Sequence, residues 1–404
     1  MLTISMLKKS YPLDMIFLMA FCYMVPFVDS INGYMILGTL GEEGRAGTIG
    51  QVFKALIMGL GWFLIPNKNK LKVALLCTYI FIIELISFLL HGTLGYFLIG
   101  FAYSFKITFA AVIYFLTVEM FKKYGAIKVL RIFRNSAVLY SMIFFLSIIM
   151  GVAHSTYSEG NFGSKGLFSS GNSLSIYFGS MSLIGLYVFF MSGRKIDLLL
   201  SGLLLVSALF VGTKTSILFI SLYNFLLFYK IGFFYKSFLL LLIVVLILSL
   251  HGLFGLFFDV IAYRFENSDS FATFLASSRD VFVIDAFSEF YIDGFYILRV
   301  IFGLGVYMSF RKLGDDISLY DTLENDFFDL FFSYGFVGVF VYISFYFTHG
   351  FRAVILKNFV ALLIFTFMFL LSALIGHVLF DAMAVIPFVL SAAITTFVVR
   401  REAY

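Results

Sequence analysis

Charge is scarce in this chain: Asp, Glu, Lys and Arg together make up 13% of its 404 residues, about half the share usual in soluble domains. That scarcity excludes an ordinary water-soluble surface. Cysteine is nearly absent too; Cys22 and Cys77 both fall in apolar runs, so a disulfide framework is not expected. The five histidines are scattered rather than grouped at ligand spacing, and no metal site is expected. There is no Walker A sequence, no HExxH and no Rossmann fingerprint in a strand-to-helix setting, which removes the usual signs of nucleotide or zinc chemistry. Basic residues are not interleaved with aromatics on a soluble face, so nucleic-acid binding has no support. The N-terminus lacks the short apolar core and small-residue cleavage site of a secretory signal, and the first span is expected to be retained.

What remains is hydrophobic: 62% of residues, 56 of them Phe, with a mean hydropathy of +1.03. Apolar windows of about 20 residues predict an all-α polytopic membrane protein with about twelve transmembrane helices, at 13–37, 49–66, 71–90, 94–120, 136–153, 174–192, 198–212, 216–229, 237–258, 326–347, 359–380 and 382–399. The last two are separated only around Asp381, where a sharp turn is expected. With the N-terminus inside, every inner connection is basic and together they hold eighteen of the 28 Lys and Arg, which by the positive-inside rule puts both termini in the cytoplasm. No repeat of 20–50 residues and no matched pair of broken helices is visible, against a solenoid or an inverted-repeat transporter. The whole chain, 1–404, reads as one transmembrane domain.

One long polar segment, 259–325, interrupts these runs and is expected outside the membrane. Within it, 277–294 carries Val281, Ile284, Phe287, Phe290 and Tyr291 near helical spacing, with Ser278 to cap and Gly294 to stop. This predicts an amphipathic helix lying on the membrane or on the protein's own outer face, with Arg279 near the bilayer. An apolar stretch with two glycines, 299–308, follows; GLG there is as easily a bend as a phosphate cradle. An acidic run of Asp315, Asp316, Asp321, Glu324 and Asp326 then leads into a span.

In their order, four motifs resemble the O-antigen polymerase and ligase superfamily, most closely its Wzy-type polymerases. They are GTKTSIL (212–218), Arg264 and Arg279 in the long loop, FGLGV (302–306), and ENDFFDLFFSYGFVGVFVY (324–342) at the entry to a span. The resemblance covers roughly 170–342. It implies joining of undecaprenyl-pyrophosphate-linked oligosaccharide repeat units on the outer face of the cytoplasmic membrane, as in lipopolysaccharide biosynthesis, without metal, nucleotide or other cofactor. A flippase and a chain-length regulator of the same pathway would be its partners. Where ligases of the superfamily place a His at the span entry, this chain has Glu324 and Asn325, a departure that favours polymerase over ligase.

The implied chemistry assigns roles. Departure of a lipid pyrophosphate builds negative charge in the transition state, which Arg279, Arg264 and Lys214 would stabilise. Glu324 would take the acceptor hydroxyl proton. Other readings stay open. Asp321-Thr-Leu-Glu324 has capping-box spacing, so Glu324 equally reads as a helix start. Lys214 equally reads as a snorkelling span end, and Arg279 as paired within the acidic loop to Asp280, Asp285 or Glu289. His377, four residues before Asp381 and so on one helical face with it, is held with Asn325 in reserve as an acid, base or acceptor contact. Ionisable residues inside spans, Asp14, Asp29, Lys54, Glu84, Lys106 and Glu119, are expected to face the bundle interior, a cavity or one another, Glu84 and Lys106 as a pair. Beside the polymerase stand a ligase, a polysaccharide flippase or transporter, and a non-catalytic scaffold.

Overall fold

The computed structural model describes residues 12–36, 49–91, 94–157, 162–230, 265–266, 279–290, 296–309, 323–375 and 377–397. The described chain is almost entirely helical. Eight helices come first: α1 Leu13–Met35, α2 Ile49–Leu64, α3 Asn67–His91, α4 Leu94–Tyr124, α5 Ala126–Ile149, α6 Gly171–Ser192, α7 Lys195–Val211 and α8 Lys214–Lys230. A two-stranded antiparallel hairpin, β1 His154–Tyr157 and β2 Phe162–Gly166, links α5 to α6. Then come α9 Arg279–Glu289, α10 Tyr296–Phe302, α11 Gly305–Met308, the long α12 Asp326–Ile355, α13 Phe359–Leu370 continued by a π turn Leu371–Ile375, and α14 Val385–Ile394.

Six of these, α1, α3, α4, α5, α6 and α12, include stretches long and apolar enough to cross a membrane, and α2, α13 and α14 are shorter apolar helices. Leu13, Phe63, Leu71, Leu89, Phe340 and Phe351 are all more than 60% exposed. So much outward apolar surface has no place in water but suits a helical protein embedded in lipid. The span expected at 237–258 and Arg264 lie outside the described residues. Those expected at 198–212 and 216–229 are the 17-residue helices α7 and α8.

The bundle is organised around α6, which is buried on all sides through most of its length. Lipid offers no hydrophobic reason for helices to associate, so close packing and interhelical hydrogen bonds hold them. Both are read from the sequence of α6. A side chain on Gly179 would run into the Phe219 ring of α8, 2.3 Å away, and the Ser175 hydroxyl meets Ser216 at 2.8 Å and Thr213 at 2.6 Å. On the other side Ser201 of α7 donates to the Ser182 carbonyl at 2.7 Å.

Charges within the helices are paired, as such groups must be in hydrocarbon. Asp14 meets Lys123 at 3.0 Å, Asp29 meets Lys54 at 2.8 Å and also accepts from Tyr140, and Asp197 binds Arg131 at 2.9 Å together with Arg134. Glu84 departs from expectation. Its carboxylate accepts from the backbone N–H of Val306 at 2.9 Å and the Tyr334 hydroxyl at 3.0 Å, while the Lys106 ammonium lies over the Tyr103 ring, 4.1 Å from its centre. The room for Glu84 comes from Gly100 and Gly305, where an added side chain would reach within 2.2 and 2.8 Å of it.

Helix α12 breaks at Gly335, with φ 60° and ψ −163°. A side chain there would strike the Ile301 carbonyl at 2.3 Å, and one on Gly303, φ 78°, would strike the Ser333 carbonyl at 2.1 Å. The two glycines thus let α10 and α12 touch backbone to backbone. In the bilayer interior a freed carbonyl must find a donor in the protein; the Tyr79 hydroxyl sits 2.8 Å from the Tyr334 oxygen and 3.0 Å from the Phe302 oxygen. The FGLGV motif is therefore a bend and a close approach.

Gly335→Ala or Gly303→Ala adds left-handed strain of about 1–3 kcal/mol to a backbone clash, and each is expected to lower the thermal midpoint of the purified protein by several degrees. Gly202→Ala, in α7 with open space around it, is expected to be neutral or slightly stabilising; equal midpoints for all three variants would refute this account of the α10–α12 contact.

Candidate functional site

The start of α12 collects most of the residues singled out by the sequence at one end of the bundle. Asn325, not Glu324, is the cap: its side chain accepts from the Phe328 N–H at 3.3 Å, and its own amide reaches the Leu374 carbonyl at 3.4 Å. Asp321 of the expected capping box lies outside the described residues, and Glu324 does not open the helix, which starts two residues after it, at Asp326. Glu324 instead takes a left-handed backbone conformation, φ 54°, which few residues other than glycine adopt without cost. Asp329, one turn into the helix, imposes it: its two carboxylate oxygens accept from the backbone N–H groups of Leu323 at 3.1 Å and Asn325 at 3.2 Å, clamping the residues on either side.

The Glu324 carboxylate so presented meets Arg279 at 2.7 Å. For Arg279 this partner lies outside the 277–294 segment, 45 positions away. The pair is lopsided: the Arg279 side chain is 9% exposed and that of Glu324 51%. Arg279 opens α9, the expected amphipathic helix, whose inward face is Arg279, Val283, Ala286 and Phe290 at helical spacing. Ala286 packs with Leu323 and Phe332, and the Phe287 and Phe290 rings lie 5.0 and 5.3 Å from that of Phe332. Val281, Ile284 and Phe287 of the apolar set are exposed. Arg299 is taken up by structure, donating to the Met308 and Ser309 carbonyls at 3.0 and 3.2 Å and stacking over Phe290.

Behind this pair lies a second cluster that no local spacing announces. The apolar helix α13 ends in its π turn, so His377 and Asp381 do not share a helical face. His377 places Nδ1 3.4 Å from Asp329 Oδ2. Asp381 fixes the turn that leads into α14 by accepting from the N–H groups of Met383 and Ala384, both at 2.8 Å, and it accepts from Ser173 at the head of α6 at 2.7 Å. Asp326, fully buried, accepts at Oδ2 from Ser372 at 2.6 Å and from the N–H groups of Val378 and Leu379, both at 2.8 Å. Lys214 opens α8 at the turn after Gly212, beside Thr213 and Ser216, whose hydroxyls fasten that turn to α6.

Asp326, Asp329 and His377 hold their donor atoms within 4.8 Å of one another, a spacing a divalent cation accepts. Asp326 Oδ2 accepts from three donors and each Asp329 oxygen from one, whereas Asp326 Oδ1 and His377 Nδ1 are buried without a hydrogen-bond partner among the described residues, which leaves space between imidazole and carboxylates for a proton or a cation. His377→Gln removes the contact with Asp329 and is expected to lower the thermal midpoint of the purified protein by a few degrees; an unchanged midpoint would overturn a structural role for that contact.

Against protein-family models, characterised proteins and solved structures, the chain shows no match.

Proposed function

We propose that this chain is a polysaccharide polymerase of the O-antigen type. It would transfer a growing glycan from undecaprenyl pyrophosphate to the terminal sugar of another lipid-linked repeat unit on the outer face of the cytoplasmic membrane. The observation that carries the reading is the Arg279–Glu324 pair, 2.7 Å apart, buried on the cationic side and open on the anionic side. The order of the four sequence motifs supports it as well.

The pair suggests how the two residues work together. An arriving pyrophosphate offers Arg279 a doubly bonding anion in place of Glu324, since a guanidinium fork matches phosphate oxygens. The carboxylate is thereby released toward solvent and acceptor. The acceptor hydroxyl oxygen then attacks the anomeric carbon while its proton passes to Glu324. The bond from that carbon to the pyrophosphate oxygen breaks, and the electron pair leaves with the lipid. One displacement inverts the anomeric centre. Asp329 acts as a positioning residue by holding Glu324 in its strained conformation, and Lys214 and Arg264 remain proposed contacts to the pyrophosphate.

A transport function is the reading from another class. The buried Asp29–Lys54 pair and Lys106 in the bundle interior favour it, since charges at that depth often mark a substrate path.

In a strain lacking the protein, wild type is expected to restore a ladder of surface glycan. Arg279→Ala and Glu324→Ala at equal membrane levels should reduce polymer by about 10²-fold or more. The exchange Arg279→Glu with Glu324→Arg keeps an ion pair and is expected to restore protein levels without polymer, separating chemistry from folding. A full ladder from the alanine variants would remove these residues from the site. If single repeat units fail to reach the outer surface, transport becomes the better account.

A further inference from the structure

Helix α12 carries the Arg279–Glu324 site at its head and Arg352 near its tail, about 40 Å away along the helix path at 1.5 Å per residue. At that far end α3, α4 and α12 flank an open cavity of about 520 Å³. Its lining follows helical spacing on all three elements. Lys68 and Lys72 lie four apart on α3, Phe115 and Lys122 seven apart on α4, and Phe345 and Arg352 seven apart on α12, so each helix turns one face to the same space.

Among the described residues, four cations line this cavity and no carboxylate does. Glu119, the nearby acid on α4, sits 3.8 Å from Lys122 and is not part of the lining. Concentrating like charges around a concave space costs free energy unless an anion enters it. The phenylalanine walls are apolar, and Leu71 and Phe351, next in sequence to Lys72 and Arg352, are 65% and 68% exposed. A polar anionic head with hydrocarbon beside it meets all three conditions at once.

We propose that this cavity binds the phosphate-bearing headgroup of an anionic phospholipid, with its acyl chains on the flanking apolar surface. Basic pockets between transmembrane helices suit such headgroups, each Lys or Arg adding to the attraction. The site stands apart from the polymerase reading, which concerns the opposite end of α12.

Native mass spectrometry of the protein in detergent tests it with phosphatidylglycerol and phosphatidylcholine of identical chains. Wild type is expected to retain phosphatidylglycerol preferentially, Lys72→Gln with Arg352→Gln to lose about tenfold in that retention, and Lys72→Arg with Arg352→Lys to keep it. Lys195→Gln, a basic exposed residue at the start of α7, should also keep it. Equal retention by the glutamine variant, or equal retention of phosphatidylcholine, would overturn the proposal. If millimolar inorganic phosphate displaces phosphatidylglycerol from the wild type, the site belongs to a soluble phosphate and the lipid assignment falls.

Discussion

A helix that breaks inside hydrocarbon must have its freed backbone groups satisfied by its neighbours, because no water is there to do it. Much of this structure follows from how the break at Gly335 is resolved. Tyr79 reaches across from α3 to two carbonyls, and Glu84, one turn on, ties the Tyr334 hydroxyl to the backbone of α11. These bonds fasten α10 and α11 to the bundle. Phe332, on the short first segment of α12, receives the aromatic rings of α9 and so brings Arg279 to the helix head. A buried carboxylate and a tyrosine far from the chemistry thus determine where the Arg279–Glu324 pair can form.

The same economy of polar groups shapes the interior elsewhere. The central helix α6 contributes hydroxyls and glycines where a soluble core would use leucine, since small residues allow backbones to approach and hydroxyls find partners across the gap. Asp197 gathers Arg131 and Arg134 at one end of the bundle, whereas Asp381 joins the head of α6 to the head of α14 at the other. Each carboxylate serves two elements at once, which is why so few charges suffice.

Apolar run length made the helices legible in the sequence, because it is a local property and the bilayer imposes it directly. The mutual pairing of Asp14, Asp29 and Lys54 with neighbouring helices was legible for the same reason: a charge in a span needs a partner. Partner identity was not. Nothing in the spacing around Arg279 points to Glu324, 45 positions on, and only the placement of α9 on α12 brings the two together. The error at His377 has a different origin. Counting four residues to Asp381 presumes a continuing helix, but Asp326 draws the backbone of Val378 and Leu379 to itself and the chain leaves helical geometry there. For Glu324, spacing to Asp321 outweighed the capping strength of the asparagine beside it, although asparagine is among the strongest N-caps.

Glu324 sits where glycine would rest more easily. Holding any side chain in the left-handed region costs on the order of 1 kcal/mol, a noticeable fraction of the stability a domain usually has to spare. At this position heat resistance and the presence of a carboxylate are opposing demands. A chain selected only to endure would drift toward glycine there, so the residue found at 324 across variants of this protein would record which demand has prevailed.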